Sequence, residues 1–291
     1  EAAERAERAE RAERAERAAK NAALPLSGMR VANFGWGVTG PMAGQLLSFL
    51  GAEVYKIESQ VHPDIQRTIP PFHRGIPDPD RSLQNHAYWA GNGSITLNLK
   101  RREAQELALE LVAKCDVALE NFGPGVMKRM DLEYERLRSV RPDLILMSMP
   151  AAGLTGPFRN LRTYGNSLAS LSGLDSVTGY LGSSRPQGME TAIADPLGGV
   201  VGALGVMMAD HHRRRTGRGQ HIDYSQQEGV MQLIAPALFD YLWNGRVAGP
   251  MGNRHPLRAA APHGLFRCRG EDRWLAIAVG TDAEWQGLVT A

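Results

Sequence analysis

Cysteine is scarce in this sequence. Cys115 and Cys268 are the two thiols among 291 residues, and without paired spacing they supply neither a zinc cluster nor a disulfide framework. Both are expected as buried small hydrophobes in a reducing compartment. An excess of charge of one sign is missing as well. The 33 Lys and Arg against 31 Asp and Glu leave a formal +2, which makes nucleic acid or an anionic membrane a poor default partner, so any basic site must be local. No window approaches the roughly eighteen uninterrupted apolar residues of a membrane span, and the N-terminus has no signal-peptide pattern. The expectation is a soluble, cytoplasmic protein with no membrane or nucleic-acid partner. His211, His212, His255 and His263 lack ligand spacing with acids or cysteines, so they read as structural or surface residues and no metal is expected.

The remaining composition is that of a folded chain. Hydrophobic residues make up 43% and charged residues 22%, which excludes a wholly disordered or collagen-like polymer, and the length allows one large or two ordinary domains. Residues 1–20 repeat Glu-Arg-Ala, with Glu4/Arg8, Glu7/Arg11, Glu10/Arg14 and Glu13/Arg17 at helical i,i+4 spacing. A three-residue repeat precesses by about 60° each time, so the alanines form no coiled-coil seam, and residues 1–23 read as a solvated helical extension.

Periodicity then changes. Strands are expected at 29–34, 53–57, 94–99, 117–120, 144–149 and 220–224, and helices at 41–50, 102–114 and 134–139. A polar, Pro-rich stretch covers 62–84, a Gly- and Pro-rich loop covers 150–166, a short helix falls near 168–171, and 173–191 is irregular. Asp195-Pro196 opens a helix to about residue 212. Such alternation predicts an α/β fold with a parallel sheet flanked by helices over 24–225. Residues 226–291, with a helix at 226–243 and a strand at 274–279, read as a linker helix and the incomplete start of a smaller domain.

Two features carry candidate chemistry. Gly35, Gly37 and Gly40 form Gly-x-Gly-x-x-Gly between a strand and a helix, and Glu58 ends the next strand. This meets the conditions of a dinucleotide fingerprint, so an NAD-dependent oxidoreductase is one reading, while turn-forming glycines are the other. Asp195, followed by Pro196, reads as a helix N-cap. Gly198 and Gly199 cost about 1 kcal/mol each inside a helix relative to Ala, which calls for close approach of something to that backbone. Arg213, Arg214, Arg215 and Arg218 form a basic cluster, read as an exposed helix end complementing the dipole.

Several segments occur in a fixed order: Leu26-Ser27-Gly28-Met29-Arg30-Val31, Gly40-Pro41, and Leu50-Gly51-Ala52-Glu53-Val54-Tyr55-Lys56-Ile57-Glu58. They continue with Ser94-Ile95-Thr96-Leu97-Asn98-Leu99-Lys100, Cys115-Asp116-Val117, Glu120-Asn121-Phe122-Gly123-Pro124-Gly125 with Arg129-Met130, and Thr216-Gly217-Arg218-Gly219-Gln220. Jointly they resemble the class III CoA-transferases, the CaiB/BaiF family, over roughly the first two-thirds of a family chain, so the sequence looks truncated. The resemblance implies a Rossmann-like large domain that binds CoA, a smaller domain, and a homodimer of interlocked chains. It implies an enzyme that moves CoA from an acyl-CoA to a carboxylic acid, with CoA as substrate and no permanently bound cofactor. By position the nucleophile resembles Asp195, which would form an acyl anhydride and then an aspartyl-CoA thioester. Trp36, Gly37, Val38, Thr39, Leu97, Lys100, Asn121, Phe122, Arg129, Met130, Arg162 and Tyr164 are placed along CoA. Close approach at Gly198 and Gly199 then belongs to a thioester or to a packed helix.

There are departures. Many relatives carry Asn-Lys-Arg-Ser where this chain has Asn92-Gly93-Ser94, and Tyr followed by an acid, or a His-Asp pair, where it has Tyr164-Gly165. Losing the histidine removes one base of an acyl-CoA racemase and favours transfer. The racemase, the oxidoreductase and a non-catalytic CoA-binding subunit remain the alternatives.

Overall fold

The computed structural model describes residues 24–183, 185, 187–189, 192–254 and 260–291. The helix expected over 1–23, residue His255, and positions 184, 186, 190 and 191 of the irregular stretch lie outside the described residues.

The first part of the chain runs β1 (Arg30–Asn33), α1 (Thr39–Phe49), β2 (Glu53–Glu58), α2 (Leu83–Trp89), β3 (Gly93–Thr96), α3 (Arg102–Val112) and β4 (Val117–Glu120). It continues through α4 (Val126–Arg129), α5 (Tyr134–Val140), β5 (Ile145–Ser148), α6 (Gly165–Leu171), α7 (Leu174–Val177), α8 (Ala194–Thr216) and β6 (His221–Asp223). After these come α9 (Gln226–Met231), α10 (Ala235–Asn244), β7 (His263–Arg267), β8 (Trp274–Ala278) and α11 (Asp282–Thr290). Two compact units divide this chain: Glu1–Gly165 with Ile193–Gly229, and Asn166–Ala192 with Val230–Ala291.

The first unit is built on a six-stranded sheet of order β3-β2-β1-β4-β5-β6, parallel throughout. This is the parallel α/β sheet the alternation predicts. Period-two alternation sends Val31, Val117, Leu119, Ile145 and Met147 to one face, against Ala43 and Leu47 of α1 and Ala203 and Val206 of α8. Ala32, Ala118 and Leu146 meet Ala108, Leu109 and Val112 of α3 and Leu137 of α5 on the other. Burial on both faces is why these strands read as continuous apolar runs.

Helix α8 lies against α1 along a stripe of small residues, Gly198, Gly199, Gly202 and Ala203, all buried. A β-carbon on Gly198 would stand 2.8 Å from Thr39 Cγ2, and one on Gly199 would stand 2.8 Å from Met42 Cβ. A packed helix therefore accounts for these glycines. The far end of α8 corrects one expectation. Arg213 is mostly buried and pairs with Asp116 at 3.1 Å and Asp210 at 2.7 Å, because the helix runs on to Thr216 and lays that guanidinium beside the chain entering β4.

Three expectations about the elements change. The stretch 173–191, expected as irregular, carries α7 at Leu174–Val177, which starts after Gly173 in the left-handed region. The Pro-rich stretch ends in α2, a helix whose polar residues hide its period, with the Ser82 hydroxyl accepting from the Asn85 amide. The helix expected over 226–243 is broken, because Pro236, within the first turn of α10, has no N–H to continue α9. In the second unit β7 and β8 pair antiparallel, and α11 opens on a capping box of Thr281 and Glu284. Cys115 is buried as expected, but Cys268 is exposed. It sits just beyond β7, where its amide donates to the Arg273 carbonyl across the hairpin.

Two measurements follow. A β-carbon on Gly35 would lie 2.5 Å from the Gly40 α-carbon, whereas one on Gly202 would press on the Met149 thioether and otherwise make an ordinary 3.5 Å contact with the Ala43 β-carbon. Gly35→Ala is expected to lower stability by about 1–3 kcal/mol. Gly202→Ala should be near neutral, since Met149 can turn aside and Ala favours the helix; urea unfolding midpoints separate the two. Glu120, 2% exposed at the end of β4, has its carboxyl pushed up from 4.5 to about 7 by burial, with the Asp223 charge adding to the rise and hydrogen bonds from Ser148 and the Phe122 amide opposing it. A raised folded value contributes stability that is complete below about 4.5 and is lost as pH climbs through about 7. Glu120→Gln should therefore remove that loss, gaining on the order of 3 kcal/mol relative to the parent between about pH 5 and about pH 8.

Candidate active site

Strand order reverses its progression between β1 and β4, the switch point beyond whose strand carboxyl ends open α/β sheets generally bind ligands. The loop after β1 carries the three glycines, and the amides of Gly35, Trp36 and Gly37 are committed to the protein. The Gly35 amide donates to Asn33 Oδ1 at 2.8 Å and the Trp36 amide to Asn121 Oδ1 at 2.8 Å. The Gly37 amide reaches both oxygens of Asp64 at 3.3 and 3.2 Å. Asn33 and Asn121 also reciprocate, donating to the Gly40 and Trp36 carbonyls at 2.9 Å each.

These bonds weigh against a dinucleotide. A pyrophosphate needs free amides and positive potential, yet a fully buried carboxylate, Asp64, occupies the Gly37 amide. Glu58 is equally engaged, by Arg67 Nε and Nη2 at 2.8 and 2.5 Å, Lys56 at 3.2 Å and Ser94 at 2.8 Å. Burial alone would push its carboxyl up, but Arg67, Lys56 and Ser94 outweigh that and hold it at about 2. A carboxylate so enclosed has no oxygen to offer a ribose. The glycines serve the turn: Gly37 has φ +73°, and Gly35 and Gly40 allow the crossing of loop and helix.

Asp195 lies in the first turn of α8, but it does not cap the helix. The cap position belongs to Ile193, with helical φ −58° and ψ −27° and no side-chain bond. The Asp195 carboxylate turns instead to two donors: the Thr39 hydroxyl reaches Oδ1 at 2.9 Å and the Gly165 amide reaches Oδ2 at 3.2 Å. Burial raises its pKa, while the Thr39 and Gly165 bonds pull it back. Both α1 and α8 begin here, so two helix N-termini favour the ionised form. A partly buried carboxylate that is ionised yet not consumed by a cap or an ion pair can act as a nucleophile.

The structure brings Thr39 and Asp195 together and joins Trp36 to Asn121 through the backbone, with Gly37 and Val38 between them. Leu97, Phe122 and Met130 pack their side chains against the α3 face of the sheet. Lys100 and Arg129 are exposed where the chain leaves β3 and at the end of α4, and Arg162 and Tyr164 are exposed on the loop leading to Gly165. Two participants are not singled out from sequence: Asp64, which holds Gly37, and Gln226, whose Oε1 lies 3.0 Å from the Thr39 hydroxyl oxygen; Gly165, marked in the sequence as a departure from the family pattern, contributes its amide. Among the described residues no three His, Cys, Asp or Glu side chains converge as a metal site. No described helix is long and apolar enough to cross a membrane.

Comparison with known proteins bears on this geometry. The chain is 34% identical over 92% of its length to the succinyl-CoA--L-malate CoA-transferase alpha subunit of Chloroflexus aurantiacus, covering 61% of that protein. It is 34% identical over 91% of its length to the acetyl-CoA:oxalate CoA-transferase of Acetobacter aceti, covering 66% of it. The crystal structure of a CaiB/BaiF family protein from Brucella suis superposes with a TM-score of 0.83 at 33% identity, over 92% of this chain and 69% of that one. The chain thus spans about three-fifths to two-thirds of the length of these relatives. The profile of CoA-transferase family III matches residues 26–291, and the chain belongs to that family.

Proposed function

We propose that this chain acts in moving CoA from an acyl-CoA to a carboxylic acid, with Asp195 as covalent nucleophile. The observation that carries the reading is the Asp195 carboxylate itself: partly buried, unpaired with any cation among the described residues, not spent on capping, and held by one hydroxyl and one amide. Attack of one carboxylate oxygen on the thioester carbonyl forms an anhydride and releases CoA thiolate. The thiolate attacks the aspartyl carbonyl, giving an aspartyl-CoA thioester and freeing the donor acid with one oxygen taken from Asp195. The incoming carboxylate then attacks the aspartyl thioester, forming a second anhydride and again releasing thiolate. Thiolate attack on the acceptor carbonyl yields the new acyl-CoA and regenerates the Asp195 carboxylate. No net proton is required, which suits a carboxylate whose hydrogen-bond partners among the described residues are a hydroxyl and a backbone amide.

Binding of CoA is assigned to the loop Trp36–Thr39 and to Leu97, Lys100, Asn121, Phe122, Arg129, Met130, Arg162 and Tyr164. The exposed Lys100, Arg129 and Arg162 suit phosphate oxygens. Asn121 would act by fixing the Trp36 backbone, since its amide is spent there. An interlocked homodimer is part of the same proposal. The relatives' names point to short dicarboxylates as the acceptors to try first.

The experiment pairs acyl-CoA with hydroxylamine, followed by peptide mapping, and measures transfer to oxalate, succinate, malate and glutarate. An aspartyl hydroxamate at Asp195 is expected, and Asp195→Asn should lower transfer about 10³-fold or more. A hydroxamate on another peptide, or transfer undiminished in Asp195→Asn, overturns the assignment. CoA binding without transfer to any acid favours the non-catalytic subunit.

A further inference from the structure

The Thr39 hydroxyl has one proton and two claimants. Its oxygen lies 2.9 Å from Asp195 Oδ1 and 3.0 Å from Gln226 Oε1, and neither an ionised carboxylate nor an amide oxygen can donate. The orientation of Gln226 is settled by its other end: Nε2 donates to the Met149 carbonyl at 2.6 Å, and a flip would set oxygen against oxygen. Thr39 is fully buried and Gln226 is 4% exposed, so water does not make up a missing bond cheaply.

We infer that the Thr39 proton is switched by the charge on Asp195, resting on the carboxylate when it is ionised and on Gln226 Oε1 when it is discharged. The ionised carboxylate is the stronger acceptor and takes the proton. When Asp195 is protonated, its own O–H donates to Thr39 Oγ1 and the Thr39 O–H turns to Gln226, leaving every group bonded. When Asp195 is acylated, which rests on the function proposed above, its oxygens become weaker acceptors and the Thr39 proton again goes to Gln226. Gln226 is thus a positioning residue. It reduces the cost of discharging Asp195 without touching the reacting atoms.

Among the described residues no other charged group is bonded to Asp195 or Thr39. Helix α1 has no ionisable side chain, and Asp210, His211, His212 and Arg213–Arg215 of α8 lie at its opposite end. Glu228 of α9 is exposed, as are Arg162 and Tyr164 on the loop before Gly165. Among the described residues Asp195 makes no ion pair, and its pKa answers to burial first, then to Thr39 and Gly165.

The test is the titration of Asp195, followed by carbon-13 NMR of aspartate-labelled protein and assigned with Asp195→Asn. Thr39→Val removes the donor and should move the midpoint to higher pH, an increase of about tenfold in proton affinity; Thr39→Ser should restore the parent value. Gln226→Met removes the second acceptor and should move the midpoint to lower pH. In the Thr39→Val background Gln226→Met should move nothing, whereas a purely structural effect of Gln226 would shift both backgrounds alike and overturn the inference. An upward shift in Gln226→Met alone also overturns it. A second readout is the fraction of Asp195 acylated by acyl-CoA without acceptor, expected to fall several-fold in Gln226→Met. If the titration shifts hold but Asp195 is never acylated in the parent, the switch stands and the function proposed above fails.

Discussion

The contact between the Thr39 hydroxyl and the Asp195 carboxylate depends on two helix starts being brought within hydrogen-bonding distance across 156 residues of sequence. Backbones come that close only where side chains do not hold them apart. Gly198 and Gly199 provide the clearance, and their combined helix penalty of about 2 kcal/mol is offset by packing against α1. The same approach delivers Asp195 to a place where burial raises its pKa while two donors keep the ionised form accessible. Fold and chemistry thus share one constraint, a close α1–α8 interface.

The loop after β1 belongs to the same design. Asn33, Asn121 and Asp64 bind three consecutive amides, and the buried Lys56 neutralises Asp64 at 3.3 Å. With these three amides satisfied internally, the loop holds Thr39 in place before any ligand arrives, so the entropy of ordering is met during folding. That arrangement also explains how Gly-x-Gly-x-x-Gly can stand after a strand without serving a dinucleotide. The glycines give the turn, and side chains take the bonds that phosphate would need.

The central strands β1, β4 and β5 were legible because they are apolar and buried on both faces, and Val117–Leu119, each fully buried, show why. The position of Asp195 was legible from Asp-Pro at a helix start together with the family resemblance. Its local role was not. Propensity makes an Asp before Pro a cap, but Thr39 and Gly165 supply tertiary bonds that sequence spacing does not encode, and Ile193 takes the cap position. Gln226 was illegible for the same reason, since it meets Thr39 across 187 residues. Helix α2 was hidden because Gln84, Asn85 and His86 break any apolar period. Arg213 looked solvated because one of its two acidic partners, Asp116, lies 97 residues away and only the fold brings it beside the helix.

The central claim is that Asp195 exchanges an oxygen atom with the substrates in each catalytic cycle, and heavy-oxygen labelling tests it most directly. Turnover with a carboxylic acid carrying heavy oxygen in both carboxyl positions, followed by digestion and mass spectrometry, should show the peptide containing Asp195 heavier by one exchanged oxygen and then by two. Sustained turnover that leaves this peptide at its original mass, with the label passing straight to the released donor acid, would contradict the account.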